Sequence, residues 1–126
     1  MIDLETLGTE PDAPIISIGA AWFDLETKTI GKTFYATLDV ADQIDSKKRF
    51  ASAATIKWWM GQSGAARKVF KDDARPSKEV LQLFANWILQ TAGASKGSKQ
   101  LRNVFHGAMV HLSTSLYWSL SLEIIT

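Results

Sequence analysis

The 126-residue chain contains no cysteine. Disulfides and thiolate chemistry are therefore excluded, and any metal ion has to be held by oxygen or histidine. No stretch is long and apolar enough to read as a membrane span. The N-terminus lacks the basic-then-apolar pattern of a secretory leader, because Asp3 interrupts it at once. The expectation is a cytoplasmic protein with no membrane partner. Acidic side chains are scarce late in the chain: after Arg102 the only one is Glu123.

What is present fits one globular domain, with 46% hydrophobic and 21% charged residues supporting a single core. The net charge of +1 hides an asymmetry. Residues 1–46 carry nine acidic and two basic side chains, whereas residues 47–126 carry twelve basic and four acidic. An acidic region beside a basic one suits a metal site next to a phosphate-binding surface. Chance variation in the sign of solvated faces accounts for it equally well.

The most specific local pattern is Asp3-Leu4-Glu5-Thr6. If Met1–Leu4 is extended, side chains alternate faces, and Asp3 and Glu5 point the same way with Leu4 beneath them. Carboxylates so placed can share a divalent cation. A plain surface D-x-E is the commoner meaning of that spacing, so the context has to decide.

Gly8, Pro11 and Pro14 mark a loop. Ile15-Ile16-Ser17-Ile18-Gly19-Ala20-Ala21-Trp22-Phe23 reads as a strand buried on both faces, Asp24 to Lys28 as a turn, and Thr29 to Leu38 as an alternating partner strand. An antiparallel three-stranded meander is expected. Residues 39–51 read as a polar helix or a loop. From Ser52 the period becomes helical, with Ile56, Trp59 and Met60 on one face and Gly61 as the stop. A short helix follows from Ser63 to about Lys71. Ser77 reads as the N-cap of a longer helix that buries Val80, Leu81, Phe84, Trp87 and Ile88 and ends near Gly93. Val104-Phe105 looks like the start of a fourth strand. This order indicates an α/β (α+β) domain with helices covering a mixed sheet.

Asp3-Leu4-Glu5-Thr6 followed by Ile15-Ile16-Ser17-Ile18-Gly19-Ala20 resembles the first motif of the DEDD superfamily of 3′–5′ exonucleases. The longer stretch MIDLETLGTEPDAPIISIGAAWFD, with Thr55-Ile56-Lys57-Trp58-Trp59 and Gln62-Ser63 downstream, resembles a phage and bacterial branch of 3′–5′ exoribonucleases and exonuclease VIII. The resemblance covers roughly residues 1–105. It implies a ribonuclease-H-like fold and hydrolysis of phosphodiesters with two Mg²⁺ (or Mn²⁺) ions at the 3′ end of single-stranded RNA or DNA. By the same resemblance Asp3 and Glu5 are catalytic metal ligands, and Thr6 and Leu7 lie against the terminal nucleotide. Trp58 has a stacking reading, because the bases of single strands stack on aromatic rings. Adjacent residues on a helix point about 100° apart, so at least one of Trp58 and Trp59 belongs to the core.

The family pattern continues with an aspartate after the fourth strand, then a histidine or tyrosine and a last aspartate on a final helix. Where the family carries a segment like W-G-N-G-A-S-F-D, this chain has His106-Gly107-Ala108-Met109-Val110-His111-Leu112-Ser113-Thr114. One possible choice of synonymous codons for that stretch is CAT-GGG-GCA-ATG-GTG-CAT-CTT-TCG-AC. From their third base they read TGG-GGC-AAT-GGT-GCA-TCT-TTC-GAC, which translates as Trp-Gly-Asn-Gly-Ala-Ser-Phe-Asp. The expectation is an exonuclease domain over residues 1–105, incomplete at its C-terminus, followed by an out-of-frame tail over residues 106–126. A gene sequence incompatible with the shifted reading would sink it. Read as a natural segment instead, Leu116 to Ile124 alternates like an amphipathic strand, and His106 and His111 become candidate ligands or bases.

With part of the acidic shell missing, the resemblance implies weak Mg²⁺ affinity and little or no turnover. The alternative is a non-catalytic remnant of the same fold that binds nucleic acid through its basic half.

Overall fold

The computed structural model describes residues 1–70 and 73–91. The chain opens with three strands, β1 (Ile2–Thr6), β2 (Ile15–Asp24) and β3 (Thr29–Thr37). They pair antiparallel in the order β1-β2-β3, which is the expected meander. The hairpin turn closes on Asp24, whose Oδ1 accepts from the Glu26 and Thr27 N–H groups at 2.8 and 3.2 Å, with Lys28 in the left-handed region (φ 54°). Among the described residues four helices follow: α1 (Val40–Asp45), α2 (Ala53–Met60), α3 (Gly64–Arg67), continued by a 3₁₀ turn over Lys68–Phe70, and α4 (Ser77–Thr91). The result is an α/β fold with helices flanking a sheet. The fourth strand, the loop from Gly93, Lys71, both histidines and the tail from residue 106 lie outside the described residues.

One face of the sheet packs on α4. Ile15, Ile18, Ala20 and Leu38 meet Val80, Leu81, Phe84, Ala85 and Ile88, with Ile2, Leu4, Phe34, Ala36 and Trp87 at the margin. Phe34 tilts onto Phe84 with ring centroids 5.2 Å apart. The helical stripe read from the sequence is the buried one, except that Trp87 is only half-buried at its margin and Ala85 joins it. Because Ile2 and Leu4 face this core, Asp3 and Glu5 of β1 project from the opposite face.

β2 is not buried along its whole length. The register runs Asp3 to Gly19 and Glu5 to Ser17, but Thr6 pairs with Ile15, so Ile16 has no partner on β1. That bulge lets Ile15 and Ile18 share the α4 face while Ile16 joins Leu7 and Trp59 in a second, small apolar cluster. Beyond Ala21, which exchanges hydrogen bonds with Met1, β2 pairs among the described residues with β3 alone, and Trp22 and Phe23 are exposed.

Two helix expectations also change. Ser52 and Gly61 bound α2 as expected, yet only Trp59 is buried on it, while Ile56 and Met60 are exposed. The face is one residue wide because α2 covers the edge of the sheet at Leu7 and Ile16 and does not lie over the main core. Ser77 is not the N-cap of α4 but its first helical residue, since Val80 N–H donates to the Pro76 carbonyl at 3.2 Å. The cap comes from α1, where Asp42 Oδ2 accepts from Ser77 N–H at 2.8 Å and from Ser77 Oγ at 3.1 Å. A carboxylate there satisfies an orphan donor and complements the helix dipole.

The polar stretch 39–51 resolves into a brace. Asp39 caps α1. Gln43, fully buried, accepts from Ile15 N–H and donates to the Ile15 and Asp39 carbonyls at 2.8 to 2.9 Å. Arg49 is buried as well, donating to the Ala13 and Pro11 carbonyls. One of the basic residues counted toward a phosphate-binding surface is therefore a clamp on the Glu10–Pro14 loop. Burial lowers the Arg49 pKa, and the charge of Asp12 opposes that shift.

Candidate active site

The end of β1 is held from three directions. Leu7 N–H donates to the Pro14 carbonyl at 2.9 Å, but proline has no N–H to return. The Leu7 carbonyl accepts instead from Ser52 N–H, the N-cap of α2, at 2.7 Å. One residue earlier the strand's polar groups point the other way, and the Thr6 carbonyl accepts from the Trp59 indole N–H at 3.0 Å. Thr6 Oγ1 donates to the Gly8 carbonyl at 2.7 Å, closing the turn out of the strand. Gly8 fits tightly, since a Cβ there would lie 3.0 Å from the Ala13 Cβ.

These contacts shape a cleft of about 400 Å³ between β1 and α2, lined by Glu5, Thr6, Thr9, Thr55, Trp58 and Trp59 among others. Trp58 is 57% exposed and Trp59 only 7%, so the two adjacent rings divide as helix geometry requires. Their centroids lie 5.1 Å apart at an interplanar angle of 79°, and Trp59 meets Phe70 edge-on at 5.2 Å. Leu7 does not line the cleft: it is buried with Ile16 and Trp59. The cleft also takes in Thr9, which no sequence pattern marks, and Thr55, which opens the Thr55-Ile56-Lys57-Trp58-Trp59 pattern without a site role assigned to it. Thr55 stands three residues before Trp58 on the same helix, a spacing that could have found it.

Asp3 and Glu5 are exposed on a common face of β1. Partial burial, and secondarily the charge of Asp3, hold the Glu5 carboxyl above its ordinary value. Two hard oxygen donors side by side, one carrying like-charge strain, suit a magnesium-type cation, which keeps several waters and completes its shell with phosphate. Among the described residues no third histidine or carboxylate joins them. The pair fits one cation, and a second would need further ligands.

The chain matches the family model of the 3′–5′ exoribonuclease Rv2179c-like domain over residues 1–119. It belongs to that family. An Rv2179c-like domain is of the 3′–5′ exonuclease type, a hydrolase class acting on nucleic acid. No curated protein and no solved structure matches the chain. No helix among the described residues is long and apolar enough to cross a membrane.

Proposed function

We propose that the β1–α2 cleft is a divalent-cation-dependent exonuclease site of the DEDD type, taking the 3′ end of single-stranded nucleic acid. The observation that carries this reading is the position of the Asp3 and Glu5 pair, at the mouth of a strand whose next residue lines a cleft with an exposed tryptophan, in a chain of an exoribonuclease family. Asp3 and Glu5 would hold Mg²⁺ or Mn²⁺. The cation, when bound, supplies charge neutralisation at the phosphodiester. Trp58 offers its face to a base, Thr6 and Thr55 border the space beside it, and Leu7 supports the wall from within.

Turnover by this polypeptide is expected to be slow. Two carboxylates stand together among the described residues, and after Glu79 the sequence has a single acidic residue, Glu123. That shortage favours a second reading, in which the chain is an incomplete form that binds nucleic acid without cleaving it. Incubating an end-labelled oligonucleotide with Mg²⁺ or Mn²⁺ separates them. Slow shortening from the 3′ end, lost in chelator and in Asp3→Ala, supports the exonuclease. Salt-dependent binding without shortening assigns the binding remnant. Shortening that persists in Asp3→Ala or in chelator would overturn the site.

A further inference from the structure

We infer that Trp59 is a positioning residue that couples the carboxylate end of β1 to the nucleotide-stacking ring of Trp58. The inference rests on the exonuclease reading of this cleft. Thr6 follows Glu5 at the point where the β1–β2 register slips. Because Leu7 N–H is directed at Pro14, which immediately precedes β2, the Thr6 carbonyl points away from β2, where no strand among the described residues offers it a donor. The Trp59 indole is that donor, at 3.0 Å.

The same indole is fixed on its other sides. Its ring is buried against Leu7 and Ile16, meets Phe70 edge-on, and packs at a steep angle against Trp58. One side chain thus touches both halves of the cleft. Its N–H sets the direction in which the strand leaves Glu5, and its ring sets where Trp58 stands. Trp58 on the neighbouring helical position cannot replace it, because its ring faces solvent.

Removing the N–H while keeping the ring separates coupling from support. In the full chain, residue 59 is replaced site-specifically by 3-benzothienylalanine, a near-isostere with sulfur in place of N–H, and in parallel by Trp59→Phe. The probe is a labelled single-stranded hexanucleotide whose 3′-terminal linkage is a non-hydrolysable phosphonate, titrated in chelator and in Mn²⁺. The wild-type chain should bind more tightly with Mn²⁺, and the ratio of the two affinities measures the coupling. The isostere should keep its affinity in chelator within about twofold and lose about fivefold of the Mn²⁺ enhancement, the size of one net neutral hydrogen bond. Trp59→Phe should show the same loss.

An enhancement unchanged in the isostere would overturn the inference. A parallel fall in both affinities would overturn it too, because it would mark a scaffold role only. A loss in Trp59→Phe with none in the isostere would assign the effect to ring size and likewise sink it. A wild-type chain with no Mn²⁺ enhancement would instead overturn the exonuclease reading itself.

Discussion

Glu5 stands two residues from Asp3 on one face of β1, and the Asp3 charge adds to partial burial in keeping the Glu5 carboxyl above its ordinary value. The fold thus holds two like charges together at the rim of a cleft. Glu5→Gln removes the repulsion, so in chelator at neutral pH its melting temperature should match or exceed that of the wild type. Added Mn²⁺ should raise the wild-type melting temperature and leave the variant unmoved. A variant that still responds to the cation would remove Glu5 from the ligand set.

The raised Glu5 pKa also fixes two opposite pH trends. The folded chain keeps the Glu5 proton to higher pH than the unfolded chain, so the contribution of this group to stability falls as pH rises from its ordinary value through the raised one. Cation binding needs the ionised carboxylate and should strengthen across the same window. Melts at a series of pH values, with chelator and with Mn²⁺, should diverge as pH rises. Parallel curves would count against the shift.

Gln43 replaces a missing strand neighbour for Ile15 by bonding both its N–H and its carbonyl. Gln43→Leu keeps the bulk but leaves those buried groups unpaired, at a cost of about 1–3 kcal/mol each. Urea unfolding should show a loss of at least ~2 kcal/mol. A loss below ~0.5 kcal/mol would mean the backbone finds other partners.

Asp42→Ala should remove the cap that α1 supplies to α4, costing about 1–2 kcal/mol. Ser77→Ala keeps the backbone bond and loses only the hydroxyl, so its cost should be clearly smaller. Equal costs would contradict a cap made mainly through the Ser77 N–H.

Trp58→Ala should weaken single-stranded oligonucleotide binding by about 1–3 kcal/mol, the usual worth of one stacked base. Because its ring is 57% exposed, thermal stability should change little. Unchanged binding would remove Trp58 from the nucleotide surface.

Much of the fold was legible because its signals are local. Alternation along Ile2–Thr6 and Thr29–Thr37, and the apolar stripe of Val80, Leu81, Phe84 and Ile88, assigned the right faces. The expectations that moved depend on partners distant in sequence. Ile56 and Met60 have the periodicity of a buried face, but α2 sits at the sheet edge, where only Trp59 finds cover. Ser77 has the chemistry of a cap, yet Asp42, 35 residues away, reaches the helix end first.

The candidate site divides in the same way. The sequence by itself determined that Asp3 and Glu5 share a face, because a strand has a period of two, and that Trp58 and Trp59 part company, because a helix turns about 100° per residue. Only the tertiary structure decided which tryptophan faces solvent and which holds the Thr6 carbonyl, and that Leu7 turns inward. Those outcomes depend on a one-residue register slip at Ile16 and on Pro14 having no N–H to offer Leu7, which opens the sheet edge to α2. Backbone groups must find partners somewhere, and at this corner the donors to the Thr6 and Leu7 carbonyls lie more than forty residues along the chain.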